Sequence, residues 1–441
     1  MRITFNNTIA RALGEAKEGF IRHFLNLKSA KTIDRQTLQA VENRFHQISA
    51  QEQIEHFAIP VWHIFELHIP TRFEQANTPL EKVRGPIVPG FKEAPDLIYE
   101  SNTDTNGFNI NALGYYKGGL ASNTVHALRL QDTYANFIPL LGDGPKATIH
   151  KAAIEAGGIY ITKEVISNGV DAYIHFCSLF GEGDTKQENW MAQSRIPFSK
   201  ETINTFTAAI EEALIENNGE IFVLSAIPPA GAGDDYFARL TELAKKFNSP
   251  TVFNSKQYDP LRASVEKLFN QGDIKLIKPN LVEFVQFLRL KGLLYEDSNT
   301  CEAEIYQKLK SQIKKGQFKE TFELARLLIN TVNPDMIILL SLSEHGAMAI
   351  SKDHAVVFGA PKIKLGCSSG AGDSGLASVI KTTKDRKYDL WNTLKEDELA
   401  NLLQSFIYAA SATASLPGNN IANRNEIDTL RTSQKLVQYK V

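Results

Sequence analysis

Residues 274–283 read IKLIKPNLVE, and this stretch decides the class of fold to expect. Ile274 to Ile277 form a short, mostly apolar run, Lys278-Pro279-Asn280 stops it, and the chain enters a helix at once. Asn280 is suited to cap that helix, and Glu283 stands three positions later, at capping-box spacing. The same two residues also read as chemistry. A carboxylate at the start of a helix can organise a hydrated magnesium ion, a hard cation that prefers oxygen ligands and keeps its waters. Both readings stand on the sequence.

Working outward, the same strand-to-helix pattern recurs. GPIVPGF (85–91), IFVLSAI (221–227), PTVFN (250–254) and MIILLSL (336–342) are short apolar runs bounded by Pro, Gly or Asn, as expected of strands buried on both faces. Between them lie amphipathic segments at 200–218, 234–247 and 396–416. This alternation predicts an α/β fold, a three-layer α/β/α core on a mostly parallel central sheet. Ligands of such sheets sit beyond the carboxyl ends of the strands. Residues 1–85 differ: apolar residues recur at helical spacing in 8–27 and 36–57, which predicts a helical N-terminal extension to a domain spanning 86–441. The charged stretch 299–331 reads as an inserted helical pair.

Composition removes several function classes. The chain has 441 residues, 43% of them hydrophobic and 22% charged, with a net charge of -2, so neither nucleic acid nor an anionic membrane is expected as a partner. Cys177, Cys301 and Cys367 are far apart and lack CxxC spacing, which argues against a disulfide framework or zinc site and suits a reducing, cytoplasmic setting. The N-terminus has no uninterrupted apolar core of the secretory kind.

Two more stretches carry candidate chemistry. GCSSGAGDSGLAS (366–378) sets Gly370 and Gly372 around Ala371, just ahead of an apolar helical run. Glycines there let backbone N–H groups turn toward one point, where the helix N-terminus adds partial positive charge. Such a nest suits a phosphoryl group in transfer, and Asp373 at its mouth could take a proton from an attacking hydroxyl. The plainer reading is a glycine turn with Asp373 as helix N-cap. In YYKGGLASNTVHAL (115–128), Gly118 and Gly119 allow close backbone approach to a polar ligand, and the Asn123 amide offers donor and acceptor together.

In this order the motifs resemble the PfkB/ribokinase family of carbohydrate and nucleoside kinases. GAGDS (370–374) resembles that family's nucleotide-site signature, KPNLVE (278–283) its KPNxxE element, and GGLASN (118–123) its sugar-site glycines with their asparagine. SLSEHGAMAI (341–350) is similar to its nucleotide loop, LSAIPPA (224–230) to its Ser-Leu-Pro-Pro segment, and AASATASLPG (409–418) to the helix and turn closing the nucleotide pocket. The likeness covers about 85–430, in particular to the 1-phosphofructokinase and tagatose-6-phosphate kinase branch. It implies transfer of the γ-phosphoryl group of ATP, with magnesium (Mg2+), to an alcohol of a sugar or sugar phosphate. Asp373 would be the base, with Gly370, Ala371 and Gly372 stabilising the moving charge. Asp96, Gly118, Gly119 and Asn123 would hold the acceptor; Lys278, Asn280, Ser341, Gly346 and Ser369 would line the nucleotide site, and Glu283 would reach the metal through water. Segments near 97–117 and 158–178 would form a small β lid. A nucleoside or other alcohol acceptor, or a regulatory protein on a kinase fold, are the alternatives; residues 1–85 would be the surface for a second copy or a protein partner.

Four departures from the family pattern bear on the substrate and the nucleotide. Leu120 stands where the phosphosugar branch has a lysine, and Asn168-Gly169 where it has a Thr-Arg pair. Both changes remove cations that would bond a substrate phosphate. Ser343 replaces a glycine of the nucleotide loop, and Asn254 stands where a strand-end aspartate is common.

Overall fold

The structure, a computed structural model, describes residues 84–90, 96–104, 107–116, 118–170, 175–180, 187–192, 197–225, 228–254, 262–294 and 302–440. Residues 1–83, nearly all of the extension expected over 1–85, lie outside these, as do Ala226 and Ile227 of the LSAIPPA stretch. Arg84 and Gly85 lead into the first strand.

Among the described residues, ten strands make the large sheet. Its parallel part runs, neighbour by neighbour, through β5 (Val165–Ser167), β4 (Asn136–Gly142), β1 (Ile87–Gly90), β8 (Phe222–Ser225), β9 (Thr251–Asn254), β10 (Ile274–Ile277) and β11 (Ile337–Ser341). Beyond β11, β12 (Ala347–Ile350), β13 (Ala355–Phe358) and β14 (Gln438–Tyr439) extend it antiparallel. The five apolar runs read from the sequence are β1, β8, β9, β10 and β11, side by side in the centre.

Their side chains alternate between two cores, as the two-residue period of a strand requires. Ile87, Phe222, Leu224, Ile277, Ile338 and Leu340 point into one. Val88, Val223, Leu276, Ile337 and Leu339 point into the other. A strand buried on both faces has no polar face, which is why these runs read as continuously apolar. The first core is covered by helices including α3 (Lys200–Glu216), α4 (Tyr236–Lys246), α6 (Leu281–Leu290) and α8 (Lys319–Val332). The second is covered by α1 (Leu120–Leu130), α9 (Ala371–Arg386) and α10 (Glu396–Ala414). The remaining helices are α2 (Pro145–Ala156), α5 (Arg262–Gln271), α7 (Glu302–Lys314) and α11 (Arg424–Ser433). This is the three-layer α/β/α architecture. The pair expected as an insertion near 299–331 corresponds to α7 and α8, and it is part of the layer: Ala325, Leu328 and Ile329 are in the first core.

A second sheet is built, in spatial order, from β3 (Gly107–Tyr116), β2 (Asp96–Asp104), β6 (His175–Phe180) and β7 (Gln187–Ala192). The stretch near 158–178, expected whole in the lid, divides. β5 pairs with β4 at the edge of the large sheet, with Val165 and Ser167 buried and Ile166 exposed, while β6 pairs with β2 in the small one. The hairpin β2–β3 lies in the chain between β1 and α1, so it departs from the carboxyl end of a central strand.

Candidate active site

Three strand ends and three helix starts meet at one place. β10 ends at Ile277, and Lys278 follows it, 8% exposed, with its backbone N–H donating to the Phe253 carbonyl at 3.0 Å. Next door, β9 ends at Asn254 and β11 at Ser341. The Ser341 N–H donates to the Pro279 carbonyl at 3.0 Å, joining the KPN turn to the loop that follows β11. That loop closes when Leu342 N–H donates to the Gly346 carbonyl at 2.9 Å. Gly346 has φ 97°, and a Cβ there would stand 2.0 Å from the Phe358 carbonyl oxygen, so no other residue fits.

Helix α9 begins beside these ends. Its N-cap is Gly370, in the left-handed region at φ 74°, and Asp373 is the third helical residue. The reading of Asp373 as the N-cap is therefore replaced: glycine makes the turn, and the carboxylate projects from inside the first turn. Ala371 N–H donates to the Ser368 carbonyl at 3.1 Å, so this amide is engaged by the turn itself. Gly372 is at the second helical position, among the N–H groups that a helix start leaves without intrahelical partners. A Cβ on Gly372 would stand 2.8 Å from Lys278 Nζ, so the lysine ammonium closes on the turn where a larger residue would block it. Ser369 is half-buried in the same turn.

Asp373 is 3% exposed. Asn123 Nδ2 donates to its Oδ2 at 3.2 Å, and Asn254 Nδ2 donates to its Oδ1 at 2.9 Å. Asn123 comes from the first turns of α1, whose N-cap Gly119 has φ 97°. Gly118 and Gly119 are buried, and Ser122 Oγ donates to both their carbonyls. Asn419 Nδ2 donates to Asn123 Oδ1 at 3.5 Å, and a Cβ on Gly370 would lie 2.8 Å from Asn419 Oδ1. The helix start and the Lys278 ammonium give the turn a positive field, suited to an anion at its mouth.

Asn280 and Glu283 form the capping box that their spacing predicts. Asn280 Oδ1 accepts from Glu283 N–H at 2.9 Å, and Glu283 Oε2 accepts from Asn280 N–H at 2.8 Å. Among the described residues no three His, Cys, Asp or Glu side chains gather as a metal cage. Asp96 opens β2, paired in register with Tyr116 and His175, and its side chain lies outside what is described.

A model of the pfkB family carbohydrate kinases matches residues 96–416 of this chain. The chain belongs to that family. This pfkB kinase is thus a phosphotransferase acting on an alcohol group. Solved structures share its fold. Phosphofructokinase-2 from Escherichia coli, in complex with substrates and products, aligns with a TM-score of 0.61 at 15% identity, covering 80% of this chain and 99% of that one. A possible 1-phosphofructokinase from Thermotoga maritima gives 0.59 at 15%, covering 80% and 99%. Ribokinase from Thermotoga maritima gives 0.52 at 16%, covering 79% and 100%.

The departures from the family pattern have structural counterparts. Leu120 is packed against the first hydrophobic core. Gly169 has φ 75° in the turn after β5, where its N–H donates to Asp143 Oδ1 at 2.9 Å. Asn254 and Asn419 belong to the site; the sequence marks the first only as a departure from the family pattern, with no role attached, and the second is missed. The first carries a signal, an amide at a strand end where a carboxylate is common; the second has only its place after the Pro417-Gly418 turn.

Proposed function

We propose that this pfkB kinase transfers the γ-phosphoryl group of ATP to an alcohol of a sugar or sugar phosphate, with Asp373 as the general base. The observation that carries this reading is the meeting of Gly372 with the buried Asp373 and Lys278 at one turn. Asp373 takes the proton of the attacking hydroxyl, while the helix start and Lys278 stabilise charge on the group in transfer. Transfer of this kind depends on positioning and electrostatics more than on covalent chemistry. Magnesium, when bound with the nucleotide, neutralises phosphate charge. Glu283 fits an outer role toward it, because its carboxylate is already engaged in the capping box and contact through water leaves that bond in place. Asn123, Gly118, Gly119 and Asp96 hold the acceptor, and the second sheet acts as the lid over it.

Leu120, packed against the core, supports an acceptor without a phosphate at that position. The widely spaced cysteines and the use of ATP suit a cytoplasmic enzyme.

The test is ADP formation with magnesium over a panel of hexoses, hexose phosphates and nucleosides, for the wild type and Asp373→Asn. Acceptor-dependent turnover that falls by about 10²–10⁴-fold in the variant is the expected result. Turnover kept in Asp373→Asn, with the fold intact by circular dichroism, removes the base assignment.

A further inference from the structure

Asp373 is gripped from two sides by neutral amides, and one of them comes from outside the three motifs. Asn254, fully buried at the end of β9, donates from Nδ2 to Asp373 Oδ1 at 2.9 Å. Asn123 donates to the other oxygen at 3.2 Å. A carboxylate oxygen only accepts, so the NH₂ of Asn254 has to face it; the flipped amide would set two oxygens against each other. The consequence is visible on the other side of the group. Among the described residues, Asn254 Oδ1 is buried without a hydrogen-bond partner, and so is the hydroxyl of Ser225, its register neighbour on β8. An unpaired buried acceptor is costly and calls for an explanation. The bond to Asp373 supplies one.

We propose that Asn254 is a positioning residue, whose amide holds the Asp373 carboxylate in the orientation and the ionised state that accepting a proton requires. This rests on the reading of Asp373 as base. Hydrogen bonds donated to a carboxylate favour its charged form. An aspartate at 254, with no cation between the two carboxylates, would do the opposite in the free enzyme: the pair shares a proton, and the Asp373 titration moves up. Around this turn α1 presents Asn123, β9 presents Asn254 and the segment before α11 presents Asn419, all neutral. α10 meets the next residue through the Ala409 carbonyl, which accepts from Ser374 Oγ at 3.3 Å. Among the described residues, the neighbouring strand brings a charged group, Lys278.

The experiment titrates Asp373 in the free enzyme by 13C NMR of protein labelled at aspartate Cγ, its resonance identified by its loss in Asp373→Asn. Asn254→Asp keeps the shape of the side chain and reverses its electrostatics. The midpoint of the Asp373 titration is expected to rise by about one pH unit or more. Asn254→Ala, which removes the donor without adding charge, is expected to raise it by less, and it decides the matter if the first variant does not fold. A midpoint unchanged in the folded variants overturns the proposal, because a purely structural tie between β9 and α9 predicts that result. Turnover is measured alongside in Asp373→Asn. Turnover lost there with the midpoint unmoved discards the role of Asn254 and leaves the base in place. Turnover retained there discards the base, and the positioning role with it.

Discussion

At the scale of single residues, the site depends on what is missing at 372. Gly372 is at the second position of α9, and a Cβ there would stand 2.8 Å from Lys278 Nζ, the far end of a flexible side chain. Gly372→Ala is therefore expected to leave the fold as stable as before, since alanine favours helix over glycine. The lysine has to withdraw, and phosphoryl transfer is expected to drop by about 10²-fold, the usual size for losing one electrostatic contact to a developing charge. Thermal unfolding and turnover measured on the same sample check both halves. Asp373, Lys278 and Gly370 stand out in the sequence because their neighbours form compact motifs. Asn419 does not, and Asn254 shows only as a departure from the family pattern, because a single amide acquires its meaning only when folding brings distant segments together.

Among elements, α6 carries two readings at its start that the structure makes compatible. The capping box of Asn280 and Glu283 is formed, and Glu283 is also the residue expected to reach magnesium through water. Glu283→Gln separates the two. The amide oxygen still accepts from the Asn280 N–H, so stability is expected to change by less than about 1 kcal/mol. The lost charge is expected to raise the magnesium concentration needed for half-maximal turnover, which a magnesium titration measures. Central strands are legible because burial on both faces leaves an apolar run with sharp ends. β4, with Asn136 at its start and Pro139 within it, lacks that signature and does not announce itself, though it pairs with β1 over four residues. The edge strand β5 has three residues, too few for a pattern to emerge.

For the whole molecule, burial of one phenol links stability to alkaline pH. Tyr236 is 1% exposed between α3 and α4, and desolvation pushes its pKa from 10.0 up to about 12, against the hydrogen bond with Thr207 and the charge of Arg239. The folded state therefore holds the proton more tightly than the unfolded chain. Stability from this group is complete below pH 10 and is lost as pH rises from 10 toward 12, by roughly 2 kcal/mol. Urea unfolding across that range, compared with Tyr236→Phe, is expected to show the loss in the wild type and a smaller one in the variant. The architecture as a whole is readable from strand–helix alternation. The division of 158–178 between two sheets is not, since β5 and β6 are both short and their partners are set only by folding. The central claim is transfer of a phosphoryl group to a carbohydrate alcohol at Asp373, and 31P NMR of the products tests it most directly. With ATP, magnesium and the sugar panel, the wild type is expected to form a phosphomonoester that Asp373→Asn does not. ATP converted to ADP and inorganic phosphate, with no phosphomonoester from any sugar, would contradict it.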